Sequence, residues 1–346
     1  MVKLTNQVIE LSIGIAKLKQ FKQKCVIIFF DMIYDYERKD FVVKKTRVLE
    51  NKSFKKYKFE FKSFIQTQYP EANRVIGYFF EPNRKVNDRI LLFLHGMGDR
   101  NLSPLSWFPQ KFAESGIASY LLILPYHFER TPKGMKSGKK FLLDDMDDTI
   151  KDFRQAVIDL RASMDFLARE YNASDFSIMG FSFGGMIGTI TMAVDERIKN
   201  GVFVVTGGNF LYITWRSLAT KMLRKKYEIE SSYSIYGCTV QKCIEVHKNY
   251  PEYINKLKTT KDLDTVPYVK GCYLFDPLTF AHFLKNKKVV LYNALFDEII
   301  PRVAADLLWE EMGKPERHWL FADHITSVFY RRQILKRGLK LVTEDE

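Results

Sequence analysis

Cysteine is scarce in this chain, with four residues in 346. That excludes a disulfide-stapled scaffold and fits a reducing compartment. Eleven prolines and 18 glycines are too few for a collagen-like or low-complexity chain, and a hydrophobic content of 46% excludes disorder. No apolar stretch approaches the ~20 residues that a membrane span requires. The longest candidate, Cys25 to Phe30, stops at Asp31. A secretory signal is not expected either, because Asn6, Gln7 and Glu10 fall where its apolar region should begin. The expected location is the cytoplasm. Phosphate loops, helix-turn-helix, zinc-finger and RNA-binding signatures are also missing.

What is present is charge, unevenly placed. The net is +13, with 14 Lys+Arg against 7 Asp+Glu in residues 1–60 and 11 against 6 in residues 211–272. The remaining 224 residues net only +1. A near-neutral body thus bears two basic segments, read as lysine-rich solvated surface, and no nucleic-acid partner is expected. Residues 3–20 have the pattern of an amphipathic helix. The segment either packs on the body and adds leading antiparallel strands, or lies on an anionic membrane with Lys17, Lys19, Lys22 and Lys24 on its polar side. Packing is preferred, because the run Cys25 to Phe30 leads directly into strand-like segments.

Residues 41–49, 56–64 and 74–80 alternate like half-buried strands. The rhythm then changes. Ile90–Leu94 is a short continuous apolar run, as are Ser119–Leu124, Phe176–Met179, Val202–Val205 and Val289–Tyr292. Such runs predict strands buried on both faces of a parallel sheet. Helical patterns lie between them, the longest over Asp147–Tyr171, whose opening acids suit a helix N-terminus. The expected fold class is therefore α/β, a mostly parallel sheet with helices on both faces. The alternation lapses over residues 211–271, where Leu211–Tyr227 and Val240–Leu257 look helical. The expected organisation is a basic N-terminal extension (1–60), a core (61–210 and 272–346) and a helical cap insertion (211–271). Phe210, Tyr212 and Trp215 are expected to face the site from that cap.

The strongest chemical signal is Gly180-Phe181-Ser182-Phe183-Gly184-Gly185, between a buried strand and a helix pattern. That context predicts a nucleophile elbow presenting the Ser182 hydroxyl above the sheet edge. Serine needs a base. Among six histidines, His324 lies on a loop after the last short strand, Trp319–Phe321, whereas His318 precedes that strand. The base needs a carboxylate to orient it, and Asp297 follows the strand at 289–293, with Glu298 as the fallback. The order Ser182, Asp297, His324 is that of elbow-type enzymes. His95-Gly96-Met97-Gly98 follows the strand at 90–94. The amides of Met97 and Phe183 are the expected oxyanion donors, and His95 is read as a turn residue rather than a base. Cys238, Cys243, His247 and Cys272 have no standard zinc spacing. No metal and no cofactor are expected.

Taken together in order, these landmarks resemble the α/β-hydrolase superfamily over residues 74–340, and in detail bacterial serine esterases of the dienelactone-hydrolase and acetyl-ester-esterase kind. Leu124-Pro125-Tyr126-His127-Phe128-Glu129-Arg130 resembles a strand-end motif that lines the site in those enzymes. The resemblance implies substrate contacts by His95, Gly96, Phe181, His127 and Arg130. The expected activity is hydrolysis of a small-molecule carboxylic ester through a Ser182–His324–Asp297 triad and an acyl-enzyme. The alternatives are an acyl-CoA thioesterase or peptidase on the same triad, or a non-catalytic surface-binding homologue. Acyl and alcohol specificity and oligomeric state stay open.

Overall fold

The computed structural model describes residues 33–98, 101–142, 146–231 and 238–344. The helix expected over 3–20 and the run 25–30 lie outside these residues. Nine strands form one sheet: β1 (Lys44–Glu50), β2 (Phe54–Lys62), β3 (Arg74–Pro82), β4 (Ile90–Leu94), β5 (Ser119–Ile123), β6 (Phe176–Phe181), β7 (Ile198–Val204), β8 (Lys288–Ala294) and β9 (Glu316–Leu320). Their order is β1-β2-β3-β5-β4-β6-β7-β8-β9. The β1–β2, β2–β3 and β3–β5 pairs are antiparallel, and every pair from β5–β4 to β8–β9 is parallel. The fold is thus that of the α/β hydrolases, as expected.

Strand burial explains the apolar runs. β4 and β5 are buried along their whole length, because helices cover both faces. Leu91, Phe93, Met179, Val202, Val204, Val290 and Tyr292 form one core with Phe108 and Phe112 of the helix Trp107–Glu114 and Ile334 and Leu341 of the helix Arg331–Thr343. Alternate residues, such as Leu92 and Ile178, turn to the opposite layer. That layer contains the helices Met146–Tyr171 and Phe183–Val194. β1, by contrast, is exposed throughout and rich in charge, as suits a sheet edge that must not pair further.

Residues 33–36 lie against the body. Arg154 Nε donates to the Ile33 carbonyl at 2.7 Å, and the Tyr34 hydroxyl donates to the Leu274 carbonyl at 2.8 Å. Arg161 also reaches the Tyr34 carbonyl, and Tyr36 hydrogen-bonds Asp165.

Three expected elements differ. The helix over 211–227 is two, Phe210–Arg216 and Lys221–Ser231. Thr220 Oγ1 and Arg224 Nη1 both donate to the Thr214 carbonyl, at 2.8 and 2.9 Å, and so hold the reversal between them. The helix over 240–257 is Val240–Lys248 followed by Tyr250–Lys256. Pro251 opens the second, since it lacks the N–H that a continuous helix would need. The last strand starts at Glu316, so His318 sits within it instead of before it.

Candidate active site

The turn after β6 is strained where a nucleophile elbow would be. Ser182 has φ +50° and ψ −116° and caps the helix Phe183–Val194. Positive φ is costly for a residue with a side chain and persists only where the surroundings enforce it. Here the Ser182 N–H donates to the Val204 carbonyl at 2.8 Å, and Thr206 Oγ1 donates to the Ser182 carbonyl at 2.9 Å. Val205, also at positive φ (+45°), links this neighbour to β8 by donating to the Tyr292 carbonyl at 2.7 Å. The flanking glycines are required by space. A Cβ on Gly184 would stand 2.4 Å from the Leu94 carbonyl oxygen, and one on Gly180 would stand 2.4 Å from that of Gly184.

The turns after β8 and β9 bring the other two groups to the serine. His324 Nε2 lies 2.9 Å from Ser182 Oγ, and its Nδ1 lies 2.9 and 3.0 Å from the two carboxylate oxygens of Asp297. With Nδ1 carrying the proton toward Asp297, Nε2 is the acceptor for the serine hydroxyl. Asp297 is itself fixed, because its Oδ1 accepts from the Ile299 and Ile300 amides at 2.9 and 2.7 Å. Asp323 orders the histidine turn by accepting from the Ile325 and Thr326 amides, both at 2.8 Å. Ser327 Oγ donates to the His324 carbonyl at 2.8 Å. Glu298 is exposed, and its backbone carbonyl accepts from the Leu218 amide of the insertion at 3.0 Å.

Two histidines brace the turn after β4. His95 Nδ1 lies 2.8 Å from the Gly96 carbonyl, and its Nε2 accepts from the Leu124 amide at 3.0 Å. His127 Nδ1 lies 2.8 Å from the Pro125 carbonyl, and its Nε2 accepts from the Gly98 amide at 3.2 Å. Each ring thus reaches from one turn into the other, and the rings meet edge-on at 4.9 Å. Burial holds both below the ordinary imidazole range, His127 at about 4 and His95 well below 6.5. The Gly98 amide is spent on His127, so it does not serve an oxyanion. Met97 lies one residue earlier in the same turn, and Phe183 supplies the first amide of the elbow helix. First-turn amides have no intrahelical acceptor.

His127 and Arg130, which were expected to line the substrate site, have other partners in the structure. Both are fully buried. Arg130 pairs with Asp159 at 2.6 Å and donates to the Ala72 and Ile123 carbonyls at 2.6 and 2.9 Å. His95 is equally buried, while Gly96 and Phe181 are half-buried. Phe181 packs on Phe93 and Phe108 with ring centroids at 5.8 and 5.0 Å. Of the aromatics expected to face the site from the insertion, Phe210 packs on Phe153 and Phe275, and Phe153 in turn meets Phe183. Thr206 and Gly138 went unnoticed in the sequence. A Cβ on Gly138 would stand 2.6 Å from the Gly98 nitrogen, and no local pattern signals that contact. Among the described residues, no group of three or more His, Cys, Asp or Glu side chains is arranged to hold a metal. His247 Nδ1 instead bonds the Cys243 carbonyl at 2.8 Å.

An uncharacterized protein of Mycobacterium tuberculosis is 21% identical over 222 residues, 64% of this chain and 45% of the relative. The chain thus spans about half the length of the curated relatives it matches. Among solved structures, a cold-adapted esterase from an Arctic intertidal metagenomic library superposes with a TM-score of 0.55 at 15% identity, covering 87% of this chain and 97% of that one. The acetyl xylan esterase of Paenibacillus sp. R4 gives 0.56 at 14% identity, covering 87% and 89%. The acylaminoacyl peptidase of Pyrococcus horikoshii gives 0.55 at 15%, covering 86% and 43%. Likeness at this level speaks for the fold. The profile of the phospholipase/carboxylesterase family matches residues 78–266, more than half of the chain, and the chain belongs to that family.

Proposed function

We propose that the protein hydrolyses a carboxylic ester through a Ser182–His324–Asp297 triad. The observation that carries this reading is the pair of contacts on one ring, His324 Nε2 to Ser182 Oγ and Nδ1 to Asp297. Ser182 Oγ attacks the ester carbonyl while His324 takes its proton. Asp297 holds the ring and balances the charge it gains. The amides of Met97 and Phe183 receive the developing oxyanion. Collapse of the tetrahedral species breaks the bond to the alcohol oxygen, which leaves with the proton from His324. Water, deprotonated by His324, then attacks the acyl-serine and releases the acid. No cofactor enters this cycle. The insertion at 211–271 acts in this scheme as a cap, which the Leu218–Glu298 bond beside Asp297 supports.

The test is labelling with a fluorophosphonate probe followed by peptide mapping. Labelling at Ser182, absent in Ser182→Ala, is the expected result. Label elsewhere, or unchanged p-nitrophenyl acetate turnover by Ser182→Ala, removes the assignment.

A further inference from the structure

We propose that the turns bearing Asp297 and His324 form a docking surface for an anionic lipid–water interface, which presents the ester of an amphiphile to Ser182. The substrate part of this proposal rests on the hydrolase reading above. Among the described residues, the exposed phenylalanines are Phe296, Phe321 and Phe329, at 55, 75 and 80% accessibility. All three lie on the turns that follow β8 and β9. Leu295, Ile325 and Val328 on the same turns are exposed as well. Scattered apolar residues on a surface are ordinary, but a contiguous patch marks a contact site.

The two turns are joined at Leu295, Phe296 and Phe321, and the Tyr330 hydroxyl, next to Phe329, donates to the Phe321 carbonyl at 3.3 Å. The Leu295 amide donates to the Leu320 carbonyl and the Phe296 amide to the Ala322 carbonyl, both at 3.0 Å. The Phe296 and Phe321 rings meet edge-on at 5.0 Å. Asp297 and His324 lie on the same two turns and are themselves largely buried, so the apolar side chains are exposed next to the groups that meet Ser182. The turns are also held by backbone bonds and by the Asp323 carboxylate, independently of these aromatic side chains.

Charge identifies the occupant. Exposed Arg331 and Arg332 directly follow the patch, and exposed Arg216 and Lys221 flank Leu218, whose amide is bonded to Glu298. The exposed carboxylates of Asp323 and Glu298 offset two of these four cations and leave the surroundings of the patch positive. An apolar rim with cations beside it suits a surface whose headgroups are anionic and whose interior is hydrocarbon. Self-association through a two-fold axis would instead set these cations near their own copies.

Full-length protein and its Ser182→Ala variant are sedimented with phosphatidylglycerol vesicles and with phosphatidylcholine vesicles. Both proteins are expected to pellet at least tenfold more with the anionic vesicles. The Phe321→Ser/Phe329→Ser variant is expected to lose at least tenfold of that partitioning while melting with the parent. Should the double variant melt early, Phe329→Ser alone is read the same way, with at least a threefold loss expected. Binding by Ser182→Ala separates docking from chemistry, so a protein that binds vesicles yet hydrolyses nothing overturns the hydrolase reading and leaves the docking surface standing. Wild-type protein that stays in the supernatant overturns the proposal. So does a double variant that pellets like its parent, because another basic part of the chain then does the binding. A dimer in solution that the same substitutions dissociate overturns it too, assigning the patch to a second copy.

Discussion

His324 and His127 occupy turns at the carboxyl ends of parallel strands, β9 and β5, and each presents Nδ1 to an oxygen and Nε2 to another group. The difference lies in the partners. His324 faces the carboxylate of Asp297 and a serine hydroxyl. His127 faces the Pro125 carbonyl and accepts from the Gly98 amide. Protonating His324 sets a positive ring against a negative group. Protonating His127 puts an uncompensated charge in the core and removes the acceptor of the Gly98 amide. The first arrangement suits the proton transfers of the proposed reaction, and the second keeps its ring neutral by burial and holds two turns together.

Exchange of function between the two is the sharpest way to break this comparison. His324→Ala is expected to lower kcat/KM for p-nitrophenyl acetate by ~10³–10⁴-fold or more, because triad members act as a unit. Its urea midpoint should stay close to that of the parent. His127→Gln should do the reverse, keeping most of the turnover and unfolding at lower urea. A His127→Gln enzyme as dead as His324→Ala, with an unshifted midpoint, would make His127 part of the chemistry and undo the distinction.

Acid sharpens the same contrast. The His127 ring in the unfolded chain takes up a proton near the ordinary imidazole value of 6.5, but in the folded protein burial delays this to about 4. Between those values the unfolded state binds the extra proton, so stability falls as pH drops through the window and the loss saturates below it. A shift of this size corresponds to about 3 kcal/mol. His95, pushed in the same direction by burial, adds to the loss. Urea unfolding measured at several pH values from 7.5 to 4 should show the slope, flattened in His127→Gln. A wild-type protein equally stable across that range would show that these rings are solvated.

The parts of this comparison were not equally legible in the sequence. β4, β5 and the start of β6 read directly, because strands covered on both faces need no polar alternation. The three residues of the proposed triad were picked from chain order and from the end of each strand, and they lie within hydrogen-bond distance of one another. His127 and Arg130 did not read this way, because their partners Gly98, Asp159 and Ala72 are distant in sequence and only the folded sheet brings them within reach. The two breaks in the insertion helices divide the same way. Pro251 is a local signal that the reading of one helix over 240–257 passed over, whereas the reversal near Thr220 depends on side-chain bonds back to the carbonyls of residues 213, 214 and 217.

The smallest expected effect concerns the two adjacent acids after β8. Asp297 is held in place by two amides of its own turn and meets His324 with both oxygens. Glu298 is exposed, and what the fold uses of it is its backbone carbonyl, which a side-chain change leaves intact. Glu298→Gln should therefore change kcat/KM by no more than about twofold and stability by no more than ~0.5 kcal/mol, the ordinary range for an exposed site. Asp297→Asn removes the charge that balances the imidazolium and presents an amide where Nδ1–H needs an acceptor, and it should approach the loss seen in His324→Ala. Steady-state kinetics on the two variants side by side decide the matter. An active Asp297→Asn beside a dead Glu298→Gln would transfer the orienting role to Glu298 and require that turn to rearrange.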